Sequence, residues 1–213
     1  MYSRRFDQIH ESGVVAILRG VDSESAIDVA DAVVEGGVTA LEVTADTPNV
    51  AKTIGVLSDR YDDVLVGAGT VLDAETARAV QISGAEFLVT PTVDEDVIET
   101  GNRYGTPVAT GAFTPTEAVR AYEAGADFVK VFPAKTGGPT HVAALSGPLP
   151  QIPLVPTGGV GPENAGEYVE AGAVAVGVGS AIIDDDAVSN EEYETIAENA
   201  RRTVDAVATA KDR

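Results

Sequence analysis

Residues 14–44 read VVAILRGVDSESAIDVADAVVEGGVTALEVT. The stretch opens on the apolar run Val14–Leu18 and passes into an amphipathic segment, Ser23 to Glu35, which stops at Gly36–Gly37. It then returns to a second apolar run, Ala40–Thr44. Both runs are rich in β-branched residues and nearly continuous rather than alternating, as parallel strands covered on both faces should be. The segment between them has helical spacing and ends on glycine, a common helix stop. Strand, helix, strand is the unit. Where a dinucleotide-binding fold requires G-x-G-x-x-G, the chain has Leu18-Arg19-Gly20-Val21, which excludes that fold.

The unit recurs along the chain. Further apolar runs are Val64–Ala68, Glu86–Thr90, Pro107–Thr110, Phe128–Phe132, Pro153–Pro156 and Val174–Val178. Thr114-Pro115-Thr116-Glu117 reads as a capping box with proline at the first helical position, and Gly125 stops that helix. Pro162 is expected to open another, closing near Gly172. Eight strand–helix units with no long linker predict an α/β chain, a single (β/α)8 TIM barrel spanning residues 1–213 as one domain. A leading helix, Ser3–Glu11, is expected to cover the bottom, and Asn190–Lys211 to close the barrel as an amphipathic helix.

Composition narrows the possibilities. With 44% hydrophobic but only 5% aromatic residues, the core must be built from Val, Ala, Ile and Leu. The absence of cysteine excludes disulfides, thiolate metal sites and cysteine nucleophiles. Acidic residues outnumber basic ones 34 to 14, a net charge of −20 that repels nucleic acid and anionic membranes, so neither is an expected partner. Such dense carboxylates also fit adaptation to high salt, where the field is screened. No stretch is apolar enough to span a bilayer and the first residues lack a signal-peptide core, so a cytoplasmic location is expected.

Barrel chemistry sits at the C-terminal ends of strands, where two residues resist an explanation by apolar packing. In Phe128-Val129-Lys130-Val131-Phe132, alternation turns Val129 and Val131 toward the helices and Lys130 into the lumen. An amine held among apolar neighbours is favoured in its neutral, nucleophilic form and can attack a ketone. A strand-end lysine paired with a carboxylate explains the pattern equally well. Glu42, between Leu41 and Val43, likewise turns inward on the strand opposite. An amine facing a proton shuttle is what Schiff-base chemistry demands, though a structural ion pair has the same spacing.

Two glycine-rich turns, Pro156-Thr157-Gly158-Gly159 and Gly177-Val178-Gly179-Ser180, follow the last two strands, where barrels bind phosphate through backbone N–H groups aided by a short helix N-terminus. Gly67-Ala68-Gly69-Thr70 ends the third strand and offers a hydroxyl for a carboxylate. His10 and His141 are far apart without ligand spacing, so no metal is expected. The acidic runs Asp94-Glu95-Asp96 and Asp184-Asp185-Asp186 read as solvated faces. Ser180 lacks an identifiable base, which argues against a serine hydrolase.

With these motifs in place, the sequence resembles the class I 2-keto-3-deoxy-6-phosphogluconate (KDPG) and 4-hydroxy-2-oxoglutarate aldolase family from about Gly13 to Ile183. The resemblance is carried by Ala-Ile-Leu-Arg-Gly (16–20), Leu-Glu-Val-Thr (41–44), Val-Gly-Ala-Gly-Thr-Val-Leu (66–72) and Val-Thr-Pro (89–91). It continues through Phe-Thr-Pro-Thr-Glu-Ala (113–118), Val-Lys-Val-Phe-Pro-Ala (129–134) and Pro-Thr-Gly-Gly-Val (156–160).

The family implies a cofactor-free homotrimeric lyase that reversibly cleaves KDPG, a keto-deoxy sugar acid, to pyruvate and glyceraldehyde 3-phosphate, within Entner–Doudoroff carbohydrate metabolism. It implies that Lys130 forms the imine with pyruvate and Glu42 moves protons. Thr70 would hold the pyruvate carboxylate, Pro91 and Phe132 would shape the pocket, and Thr157, Gly158, Gly159, Gly179 and Ser180 would line the substrate's distal phosphate end. Many members carry an arginine four residues after the catalytic glutamate. Asp46 stands there, and Arg19 is the candidate replacement. Alternatives are an aldolase for the galactonate epimer or for 4-hydroxy-2-oxoglutarate, a phosphosugar epimerase or isomerase, and a non-catalytic phosphometabolite-binding barrel.

Overall fold

A computed structural model describes residues 2–213, with side chains from Asp7 onward. Eight strands form the sheet: β1 (Val14–Leu18), β2 (Ala40–Thr44), β3 (Leu65–Gly69), β4 (Leu88–Val89), β5 (Val108–Ala112), β6 (Phe128–Val131), β7 (Leu154–Pro156) and β8 (Val176–Val178). They pair in parallel in the order β7-β6-β5-β4-β3-β2-β1-β8, and the bridges Leu154–Ala173 and Thr157–Gly177 join the two ends. The helices are α1 (Tyr2–Ser12), α2 (Ala26–Glu35), α3 (Val50–Arg60), α4 (Ala74–Ile82), α5 (Glu95–Tyr104), α6 (Pro115–Glu123), α7 (Gly138–Ser146), α8 (Ala165–Glu170), α9 (Asp185–Ser189) and α10 (Tyr193–Lys211). This is the expected TIM-like (β/α)8 barrel. Among the described residues no helix is long and apolar enough to cross a membrane.

Alternation along each strand divides the apolar residues into two cores. Val14, Ala16, Leu41, Val43, Val129 and Val131 face outward into the layer shared with the helices. Val15, Ala40, Leu65, Phe87, Phe128 and Val155 fill the lumen, and Ile9 of α1 plugs its bottom as the leading helix was expected to do. Glycines make the lumen packable: a Cβ on Gly67 would fall 2.5 Å from the Phe87 ring. Burying each such Val, Leu or Phe contributes roughly 1.5–3 kcal/mol.

Some boundaries differ from the sequence reading, for local reasons. β4 stops at Val89 because Thr90 turns its hydroxyl onto the Thr92 carbonyl at 2.6 Å and Pro91 has no N–H to continue the ladder. The helix after β7 begins at Ala165 rather than Pro162, since Asn164 folds the intervening loop by accepting from Gly161 N–H at 2.9 Å. The closing helix α10 begins at Tyr193 rather than Asn190, which instead caps the end of α9. Asp94 and Asp184 are more than solvated acids. Each caps a helix, Asp94 accepting from Val97 N–H and Asp184 from the N–H groups of Asp186 and Ala187. The Thr114–Glu117 capping box forms as expected. His141 is structural, its Nε2 2.7 Å from the Phe113 carbonyl oxygen and its ring stacked on Phe113.

Candidate active site

β2 and β6 are four strands apart either way round the barrel, so they face each other across the lumen. Parity along each strand turns Glu42 and Lys130 inward, and both line one cavity together with Phe87, Phe128 and Thr157. Lys130 is 5% exposed and Glu42 only 2%. The Lys130 Nζ lies 5.2 Å from the centroid of the Phe132 ring, which roofs it from the rim. The two charge-bearing residues that the strand pattern placed inside are therefore brought together.

Glu42 is held under electrostatic stress. Burial pushes its carboxyl above the usual 4.5, the positive charges of Lys130 and Arg19 act in the opposite sense, and Asp46 reinforces the rise. Its Oε1 is buried with no hydrogen-bond partner among the described residues. Leaving such an atom unsatisfied costs about 1–3 kcal/mol, an arrangement native proteins retain where the group has work to do. The carboxylate reaches its place only because β3 offers no side chain beside it: a Cβ on Gly69 would lie 1.7 Å from Oε1. Gly69→Ala should therefore displace the carboxylate and lower kcat about 100-fold, the usual consequence of misplacing a reacting group by about an ångström. Unchanged turnover in a folded variant would show that Glu42's position does not matter.

The rim gathers polar groups from widely separated strand ends. Arg19, just past β1, donates from Nη1 to Asp46 Oδ2 at 2.7 Å and from Nη2 to Thr70 Oγ1 at 2.8 Å. Thr44 holds Asp46 in turn, and its hydrogen bond and the Arg19 charge keep the Asp46 carboxyl below the usual aspartate range. Thr70 has φ 55°, a left-handed backbone that a β-branched residue adopts at a cost of about 1–3 kcal/mol and that concentrates at functional sites. Pro91 is pinned from behind: Thr90 and Thr110 share a hydroxyl contact of 2.8 Å, and a Cβ on Gly111 would meet the Pro91 backbone at 2.2 Å. Thr110 and Asp46 belong to this supporting set, which the strand pattern had not assigned. The recurrence of threonine as the last residue of three apolar runs, at Thr44, Thr90 and Thr110, was the available signal.

The two glycine turns lie side by side, Thr157 bridging to Gly177, where a Cβ would come 2.3 Å from the Thr157 hydroxyl. Gly158 and Gly159 have φ of 90° and 83°, a region side chains avoid. Among the described residues, the N–H groups of Gly158, Gly159, Gly179 and Ser180 donate to no acceptor in the chain. Adjacent free backbone donors form an anion-binding concavity. Among the described residues no regular helix starts at either turn: α8 starts only at Ala165 and α9 at Asp185, and after β8 the Gly179 carbonyl accepts from the N–H groups of Ile182 and Ile183 in a single helical turn.

Comparison with known proteins agrees with this geometry. The model of the KDPG and KHG aldolase family matches residues 6–199. The 2-dehydro-3-deoxy-6-phosphogalactonate aldolase of Escherichia coli K12 is 38% identical over 169 residues, covering 78% of this chain and 82% of its own. The 2-dehydro-3-deoxy-phosphogluconate aldolase of Pseudoalteromonas atlantica is 33% identical over 93% of both chains. Among solved structures, the KDPG aldolase of Legionella pneumophila, with pyruvate captured at low pH as a covalent carbinolamine, superposes with a TM-score of 0.86 at 30% identity. It covers 93% of this chain and 97% of that one.

Proposed function

The chain belongs to the KDPG and KHG aldolase family, and from that premise we propose that it cleaves KDPG to pyruvate and glyceraldehyde 3-phosphate through an imine on Lys130. The observation that carries this reading is one lumenal cavity lined by both a buried amine and a buried carboxyl group of raised pKa.

The proposed steps follow from where the groups stand. The Lys130 amine adds to the C2 ketone to give a carbinolamine, the species captured with pyruvate in the L. pneumophila relative. Glu42, whose proton is retained to higher pH by burial, donates it to the departing hydroxyl, and water leaves to form the iminium. As carboxylate, Glu42 then accepts the proton of the C4 hydroxyl. The C3–C4 bond breaks, its electrons flow into the iminium to give an enamine, and the aldehyde departs. Return of that proton to C3 regenerates the pyruvate imine, which water hydrolyses.

Arg19 and Thr70 suit the pyruvate carboxylate, with Asp46 orienting the guanidinium as it bridges them. Pro91 and Phe132 wall the reacting carbons. Thr157, Gly158, Gly159, Gly179 and Ser180 suit the distal phosphate. The test is to compare pyruvate release from KDPG, its galactonate epimer and 4-hydroxy-2-oxoglutarate. KDPG should give the largest kcat/KM, and a larger value for either competitor would reassign the substrate.

Two properties of the surface extend the proposal. Leu72 and Ile82 are large apolar side chains left exposed, as residues covered by another copy in a homotrimer would be, and sedimentation as a monomer would remove that reading. The net charge of −20 fits a salt-adapted protein. Thermal stability and turnover should therefore rise between dilute buffer and molar KCl, and indifference to salt would contradict this.

A further inference from the structure

The charge of this molecule leaves few cations free, and one of them stands beside the glycine turns. Among the described residues, Arg19, Arg60, Arg103, Arg120, Arg201, Arg202 and Arg213 each pair with a carboxylate, and Arg78 lies over the Tyr104 ring. Lys211 donates to the His10 carbonyl. Lys130 is buried in the lumen. Among the described cations, that leaves Lys52, on α3, and Lys135 exposed with neither a carboxylate, a carbonyl nor a ring as partner.

Lys135 belongs to a short 3-10 turn, Ala134–Thr136, that follows β6. The turn is stitched to the end of β7: Ala134 N–H donates to the Thr157 carbonyl at 2.8 Å, and Lys135 N–H to the Gly158 carbonyl at 2.9 Å. The side chain then lies along Gly159. A Cβ on Gly159 would be 2.5 Å from Lys135 Cβ and 3.0 Å from its Cδ. Gly159 thus clears a track for the lysine stem, and the ammonium sits two bonds beyond Cδ. The free N–H groups of Gly158 and Gly159 belong to the glycine turn after β7 that the lysine stem crosses.

We propose that Lys135 is a specificity-determining residue that contacts the distal phosphate of the substrate. This rests on the reading of the two glycine turns as the phosphate site. Backbone N–H groups offer only partial charges, and a dianion approaching a chain of net charge −20 is repelled at long range. A lysine supplies a full point charge without demanding a fixed geometry, which suits a phosphate at an open rim. The contact is remote from the reacting bond and the same before and during reaction, so its loss acts on KM and not on kcat.

The experiment compares kcat/KM for KDPG and for the unphosphorylated 2-keto-3-deoxygluconate in the wild-type enzyme, Lys135→Gln, Lys135→Arg and Lys52→Gln. Lys135→Gln should shrink the preference for the phosphorylated substrate about tenfold through KM, as expected for losing one charge-assisted contact at a partly solvated site. Lys135→Arg should restore most of it. Lys52→Gln removes the same charge elsewhere and should leave the preference intact. A wild-type preference that survives in Lys135→Gln, or falls equally in Lys52→Gln, overturns the role of Lys135 alone. A wild-type enzyme with no preference for phosphate overturns the phosphate site and this inference with it.

Discussion

Lys130→Met is expected to abolish aldol cleavage, with kcat falling at least about 10⁴-fold, the scale on which removal of a covalent nucleophile acts. The barrel should survive the change. Lys130 is 5% exposed among Phe128, Phe132 and the cavity walls, and methionine fills a similar volume with no charge to bury. Lys130→Arg separates two explanations of the wild-type residue. Arginine keeps a cation opposite Glu42 but remains protonated and cannot form an imine. If Lys130 served only as the partner in a structural ion pair, Lys130→Arg would retain activity. The proposed chemistry requires it to be as inactive as Lys130→Met, with both variants showing native circular dichroism.

Glu42→Gln is expected to cost about 10²–10⁴-fold in kcat, the contribution typical of a positioned general acid–base, and to stabilise the fold. Burial raises the Glu42 carboxyl above the 4.5 of an unfolded chain, so folding disfavours its ionised form. Below that unfolded value both states hold the proton and the penalty vanishes. As pH rises through the folded-state value, the folded protein must carry a buried carboxylate, and stability is lost. Glu42→Gln should thus melt above the wild type at pH 7, because the amide spares the fold a buried charge. The gain should shrink as pH approaches 4.5. Melting curves across that range check it, and a gain that grows toward acid would reverse the sign of the proposed stress.

Much of this was legible in the residues because period-two alternation is unambiguous once a strand is recognised. The hydrophobic neighbours of Lys130 and Glu42 could face only the helices, which sent both polar side chains inward. Helix starts were readable where the capping chemistry is local, as at Thr114–Glu117. They were misjudged where a side chain reaches back across a loop, as Asn164 does. The rim was the harder part. Arg19 meets Asp46 and Thr70 across gaps of 27 and 51 residues. Barrel closure and loop direction create that juxtaposition, and no local pattern encodes it. Gly69 illustrates the same limit, since glycine at a strand end reads as a turn until the Glu42 carboxylate is found in the space a side chain would occupy.

The central claim is that a covalent bond forms between Lys130 and the substrate's keto carbon, and reduction by borohydride in the presence of pyruvate tests it most directly. Activity should disappear in step with one pyruvate-derived adduct, and peptide mapping should place that adduct on Lys130. Full recovery of active enzyme with an unmodified Lys130 after that treatment would contradict it.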